Sequence, residues 1–103
     1  MRSTAAMSDA PAPVEVRHLP EANRFEAVVD GRACHLDYLI DAGTMGIHHT
    51  EVPYPLEGRG IAAALTRAAI DHARANGLRV QPLCSYVRAW LRRHPEHADL
   101  LAG

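Results

Sequence analysis

Apolar and polar residues alternate with period two through the first half of the chain, then recur with helical spacing through most of the second. Val14-Glu15-Val16-Arg17-His18-Leu19 predicts a first strand, closed by Pro20 and the polar turn Glu21-Ala22-Asn23. Arg24 to Asp30 predicts a second, with Phe25, Ala27 and Val29 on one face. Asp30-Gly31 is a strong hairpin signal, because both central residues of the favoured two-residue turn need positive φ. A third strand then runs from Arg32 to Ile40, with Cys34, Leu36, Tyr38 and Ile40 on one face and Ala33, His35, Asp37 and Leu39 on the other. Asp41-Ala42-Gly43 makes the next turn, and Thr44 to Val52 forms a fourth strand ended by Pro53. Four strands with short turns predict an antiparallel meander.

The period changes at Arg59. From there to Asn76, Ala62, Leu65, Ala69 and Ala73 share one helical face with Ile61 and Ile70 at its margins, opposite Arg67, Asp71 and Arg74. Asn76-Gly77 is a C-terminal stop. Leu78 to Cys84 reads as a fifth strand, which a helical crossover favours as parallel. Pro82 predicts a bulge or an early end to its pairing. Ser85 is the expected N-cap of a second helix, Tyr86 to His94. Val87, Trp90, Leu91 and His94 face inward there, Arg88, Arg92 and Arg93 outward, and Pro95 ends it. Glu96 to Leu101 adds one loose turn. The fold class is therefore α/β (α+β): a four-strand, mostly antiparallel meander, a central helix, a fifth strand and a C-terminal helix.

At 103 residues this is one domain with room for one core, spanning 14–103 after a leader, residues 1–13, expected to be disordered with Met7 as an alternative start. Only 5% of residues are aromatic, so the core must come from Val, Ile, Leu and Ala. A formal net charge of −1 gives no general attraction to nucleic acid or to membranes. No run approaches the roughly 20 apolar residues of a bilayer span, and the leader lacks the apolar centre of a secretory signal. Cys34 and Cys84 sit in different contexts, which argues for reduced thiols in a cytoplasmic protein over a disulfide framework.

The candidate chemistry centres on the join between strands and helix. Pro53-Tyr54-Pro55-Leu56-Glu57-Gly58-Arg59-Gly60 is a loop whose glycines open a helix N-terminus. The first N–H groups of a helix have no internal partner, and its dipole favours an anion such as phosphate. Cys84 also falls just before a helix N-terminus, a setting that lowers a thiol pKa. The histidines lack a helical His-x-x-x-His pair or a cysteine cluster, so no metal centre is expected.

Two local motifs resemble the GNAT acyltransferase superfamily. His49-Thr50-Glu51-Val52-Pro53 followed by Glu57-Gly58-Arg59-Gly60-Ile61-Ala62 is similar to its pyrophosphate-binding corner. Pro82-Leu83-Cys84-Ser85-Tyr86-Val87 followed by Arg93-His94-Pro95 resembles its small, single-domain N-acetyltransferase branch. The resemblance implies acetyl-CoA as acyl donor and an amine, small molecule or protein, as acceptor. It places the pyrophosphate on the amides of Gly58 to Ala62 and the pantetheine arm beside Thr50, Glu51 and Val52. Two departures stand out. Glu57 occupies a position usually held by Gln or Arg, so its side chain is expected to point to solvent, with Arg59 offsetting its charge. The helices between the first two strands are absent.

Acetyl transfer needs a base, a polarised thioester carbonyl and a proton for the departing thiolate. Beside an implied thioester, His49 is either the base or a half-buried strand histidine, and His48 is expected on the opposite face. Cys84 is an acylated intermediate, a thiol lining the acetyl pocket, or a small buried hydrophobe. Tyr86 is a candidate to protonate the CoA thiolate, by its place near the last helix. The alternative to an enzyme is a non-catalytic CoA-binding or acyl-CoA-binding module.

Overall fold

The computed structural model describes residues 14–102, so the expected leader over 1–13 lies outside them. Five strands follow chain order across one sheet: β1 (Arg17–Leu19), β2 (Arg24–Val29), β3 (Arg32–Asp41), β4 (Thr44–Glu51) and β5 (Arg79–Pro82). The first four pair antiparallel, while β4 and β5 run parallel because helix α1 (Ile61–Ala75) carries the chain back between them. Helix α2 (Ser85–Arg93) follows β5. A 3-10 segment, Pro95–Leu100, then leads to Leu101, which bridges to Val80 alongside β5.

Both helices cover one face of the sheet. From the strands, Phe25, Ala27, Cys34, Leu36, Tyr38, Met45, Ile47 and Val80 point into this layer. They meet Ile61, Leu65, Ala69, Ile70 and Ala73 of α1 and Val87, Trp90 and Leu91 of α2. Ile61 and Ile70 therefore lie inside the core, not at its margins. Thr66 is also buried, and its hydroxyl donates to the Ala62 carbonyl at 2.8 Å, which leaves no orphaned polar group there. Ala62 itself is only half-buried. The other sheet face is open, with Val28, Leu39 and Leu83 each more than half exposed.

Several boundaries differ from the sequence pattern for identifiable reasons. The β1–β2 ladder stops at Arg17↔Glu26, so Val14 and Val16 pack on the core without strand pairing. Ile40 is exposed because β2 pairs with β3 only as far as Asp37, which leaves Ile40 past the sheet on that side. Ser85 is the first residue of α2 and Cys84 holds the cap position.

The β2–β3 and β3–β4 hairpins are two-residue turns with positive φ at both central positions: Asp30 and Gly31, then Ala42 and Gly43. Alanine has no polar side chain to compensate the left-handed conformation, which costs a non-glycine residue about 1 kcal/mol. Ala42→Asn is therefore expected to raise stability by about 0.5–1 kcal/mol, read as a higher thermal midpoint with unchanged circular dichroism.

Candidate active site

The site begins where β4 and β5 part. Their ladder ends at Ile47↔Pro82, with one further bond from the Leu83 N–H to the Ile47 carbonyl at 2.9 Å. β4 runs on to Glu51, while the other chain turns away through Cys84 into α2. In the same place β4 carries an extra residue. Asp37 faces His49 and Tyr38 faces Ile47, so His48 is bulged out of register with β3. The bulge puts both histidines toward the open sheet face: His49 opposite Asp37, and His48 in a hollow with Gly46 and Leu83. The expectation of opposite faces fails because a bulge resets the period of two.

A cleft of about 530 Å³ opens between the diverging elements. One wall is the end of β4, with His49, Thr50, Glu51 and Val52; another is the corner Glu57, Gly58 and Gly60 with the first turn of α1, Ile61 and Ala62; Tyr86 closes it from α2. Gly58 and Gly60 both take left-handed φ, at 82° and 83°, and Gly60 is the N-cap of α1. The first intrahelical bond is from the Ala64 N–H to the Gly60 carbonyl at 3.1 Å, so the N–H groups of Ile61, Ala62 and Ala63 have no partner within the helix. Unpartnered N–H groups at a helix start are the kind of donors that suit an anion. Leu56, buried in the proline loop, and Ala63 complete the lining. The only hint of Leu56 in the sequence is a lone large aliphatic residue in a polar, proline-marked stretch.

Of the expected residues, Arg59 and Cys84 do not line the cleft. Arg59 reaches away to Asp30 at 2.8 Å. Glu57 is exposed at the cleft's edge, as its charge demands. The Cys84 sulfur is 3.6 Å from the hydroxyl of Thr50, which does line the cleft. Burial disfavours its thiolate, but the N–H groups of Val87 and Tyr86, the Thr50 hydroxyl and Arg88 outweigh burial and lower its pKa. Burial alone acts on Cys34 and raises its pKa. Burial likewise raises Tyr86, against a smaller opposing effect of Arg93, so the phenol keeps its proton at neutral pH.

Because the thiolate is the reactive form, iodoacetamide is expected to modify Cys84 well before Cys34. The pH midpoint of its labelling rate falls below the ordinary thiol value of 9.0. Thr50→Val moves that midpoint up. Peptide mapping by mass spectrometry checks both.

Outside the cleft, His35 and Asp37 of β3 share the open face with His49 and Glu51 of β4. Burial raises the Asp37 pKa, but the Arg24 guanidinium at 2.7 Å and His35 outweigh it and hold the carboxyl below its usual range. Pattern alone shows His35 and Asp37 on one strand face; only the register reveals what stands beside them.

A five-strand mixed sheet with a splayed β4–β5 pair and a glycine corner on the central helix defines an acyltransferase fold. The chain belongs to the GCN5-related N-acetyltransferase family, whose model matches residues 24–100. Among curated proteins it is similar to Protein NATD1 of Xenopus tropicalis, 30% identical over 90 residues covering 84% of this chain and 83% of that one. The Bos taurus protein of the same name is 32% identical over 86 residues, 81% of this chain and 76% of that one. Among solved structures, the NMR structure of a Staphylococcus aureus protein described as GCN5-like superposes with a TM-score of 0.69 at 27% identity. It covers 87% of this chain and 89% of that one. Among the described residues, no helix is long and apolar enough to cross a membrane.

Proposed function

We propose that the chain is an acetyl-CoA-dependent N-acetyltransferase acting on an amine. The observation that carries this reading is the single cleft joining the amide-rich glycine corner to the end of β4 and Tyr86. The corner receives the CoA pyrophosphate on the unpartnered N–H groups at the start of α1, where dipole and amides act together. The pantetheine arm follows the end of β4, from Val52 toward Thr50, where β5 no longer pairs with β4. The thioester then lies at the splayed end. His49 accepts the ammonium proton so that the amine can attack, and Tyr86 returns a proton to the CoA thiolate.

A route through Cys84 is supported by its lowered pKa and its Thr50 contact. In that route the Cys84 thiolate attacks the thioester carbonyl and the CoA thiolate leaves. The amine then attacks the acetyl-cysteine, the C–S bond breaks, and the thiolate is restored as the amine loses its proton.

Calorimetric titration with acetyl-CoA, followed by intact mass measurement and assay against an amine panel, tests the proposal. Saturable binding with acetyl transfer is expected. A +acetyl species that disappears in Cys84→Ala selects the covalent route, and normal turnover by that variant leaves direct transfer. Binding without transfer or labelling reduces the chain to a CoA-binding module. No binding at millimolar ligand removes both readings.

A further inference from the structure

Glycine inside a strand weakens it, and where it occurs it marks a turn, a bulge or a close approach of a ligand or another backbone. Gly46, inside β4, serves no such purpose within the chain. It pairs in regular register with Leu39 on one side and Gln81 on the other, and its φ is not left-handed. A Cβ there would meet only Leu83 Cδ1 at 3.5 Å and the Leu39 carbonyl at 3.7 Å, both ordinary contacts. The missing side chain leaves open a hollow of about 520 Å³ on the open sheet face. Gly46 is its floor, and Leu39 and Leu83, which are 60% and 52% exposed, are its apolar walls.

The two ends of the hollow differ. At one, the β3–β4 pairing sets Asp41 opposite Thr44. Asp41 is exposed, and among the described residues no ion pair involves its carboxylate. Arg79, the cation on β5 beside Thr44, donates to the Leu101 carbonyl at 2.7 Å and does not line the hollow. At the other end, the Leu83 N–H gives the last bond between the parting chains, to the Ile47 carbonyl. His48 stands beside Leu83 there, and the bulge puts His49, which lines the cleft, on the same sheet face. The hollow therefore runs from a carboxylate to the splay. Four residues of strand separate Thr44 from His48, on the order of 13 Å.

We propose that this hollow is the acceptor subsite and that it takes a linear aliphatic diamine. One amine stands at the splay beside His49, the alkyl chain crosses Gly46 between Leu39 and Leu83, and the second ammonium meets Asp41. The fate of the amine rests on the acetyl-transfer reading; its binding does not. The chain covers two leucines that otherwise face water, and its far cation pairs a carboxylate that otherwise has no partner. A monoamine leaves that carboxylate unpaired, and an acceptor with an acidic far end sets like charges together. The volume is that of a small-molecule site. In the transfer itself the near nitrogen bonds to the acetyl carbon, the carbon–sulfur bond breaks, the sulfur leaves as thiolate, and the ammonium proton passes to His49.

The test has a binding arm that needs no acetyl-CoA. Octanediamine, with an amine at each end, is titrated into the isotope-labelled full-length protein and followed by amide NMR shifts. Saturating shifts at Thr44, Gly46 and Gln81 are expected. Octylamine saturates the same amides at roughly 2- to 5-fold higher concentration, the size of a solvent-exposed ion pair, and Asp41→Asn removes this preference. Gly46→Val fills the floor with a better strand former. It abolishes saturation while its thermal midpoint stays at or above wild type, which separates loss of the site from loss of fold. With acetyl-CoA present, Asp41→Asn raises KM for octanediamine by the same factor and leaves kcat in place. The proposal is overturned by no saturating shifts at millimolar diamine, by shifts confined to other residues, or by Gly46→Val acetylating octanediamine at unchanged KM. Saturation at these amides without acetyl transfer upholds the site and removes the acetyl-transfer reading alone.

Discussion

Trp90→Ala is expected to lower the unfolding free energy by about 3–5 kcal/mol, the range for a large aromatic removed from a packed core. Trp90 is only 1% exposed. Its indole stacks on His94 with ring centroids 3.8 Å apart, and the Arg67 guanidinium lies 5.3 Å from its ring centre. The His94 Nδ1–H donates to the Trp90 carbonyl at 2.8 Å, which ties the end of α2 to the same ring. Removing the indole therefore leaves a cavity where α1, α2 and the 3-10 segment meet. A domain of this size has about 5–15 kcal/mol in total, so the loss shifts the thermal midpoint by on the order of 20 °C. Urea unfolding measures it, and Trp90→Phe should lose distinctly less. A cost below about 1 kcal/mol would mean that α2 is held by its strand-side contacts alone. The consequence for the site is direct, because α2 carries Tyr86 at its start and Cys84 at its cap.

What could be read from the sequence follows how local each feature is. Asp30-Gly31 predicts its hairpin because the turn's φ requirement is written in two adjacent residues. The helix α1 and the glycine corner are similarly local: period, punctuation and N-terminal amides belong to one stretch of chain. The bulge at His48 is not. It exists only in the pairing of β3 with β4, and no residue in Gly46-Ile47-His48-His49 announces it. That one shift turned both histidines to the open face and brought His49 beside Asp37.

Other differences have the same origin. Arg59 stands two residues from Glu57 and is the expected offset to its charge, but a hairpin 29 residues earlier offers Asp30 at 2.8 Å. Ile40 has the right periodicity for the core yet lies past the end of its neighbour strand. Cys84, expected at the end of the fifth strand, stands two residues beyond it, because the strand stops at Pro82, and it holds the cap of α2 just before Ser85. The glycine corner was thus visible as chemistry, whereas the square of His35, Asp37, His49 and Glu51 was visible only as alternation.

His49→Ala is expected to reduce kcat/KM for acetyl transfer about 10²- to 10⁴-fold, the contribution of a positioned general base, or about 3–5 kcal/mol of barrier. The affinity for acetyl-CoA is expected to stay near wild type, because the corner proposed for the pyrophosphate, Gly58 to Ala62, is a separate wall of the cleft. Loss of rate without loss of donor binding separates a base from a residue that merely lines the pocket. The pH profile gives a second, independent readout. An imidazole base works only when unprotonated, so wild-type kcat/KM falls on the acid side, and that limb disappears when the imidazole is removed. His48→Ala, whose side chain lies in the outer hollow beside Leu83, is expected to keep the limb and most of the rate. An unchanged profile in His49→Ala would assign the proton to another group, leaving the cleft as the donor site and the base still to be found among its neighbours.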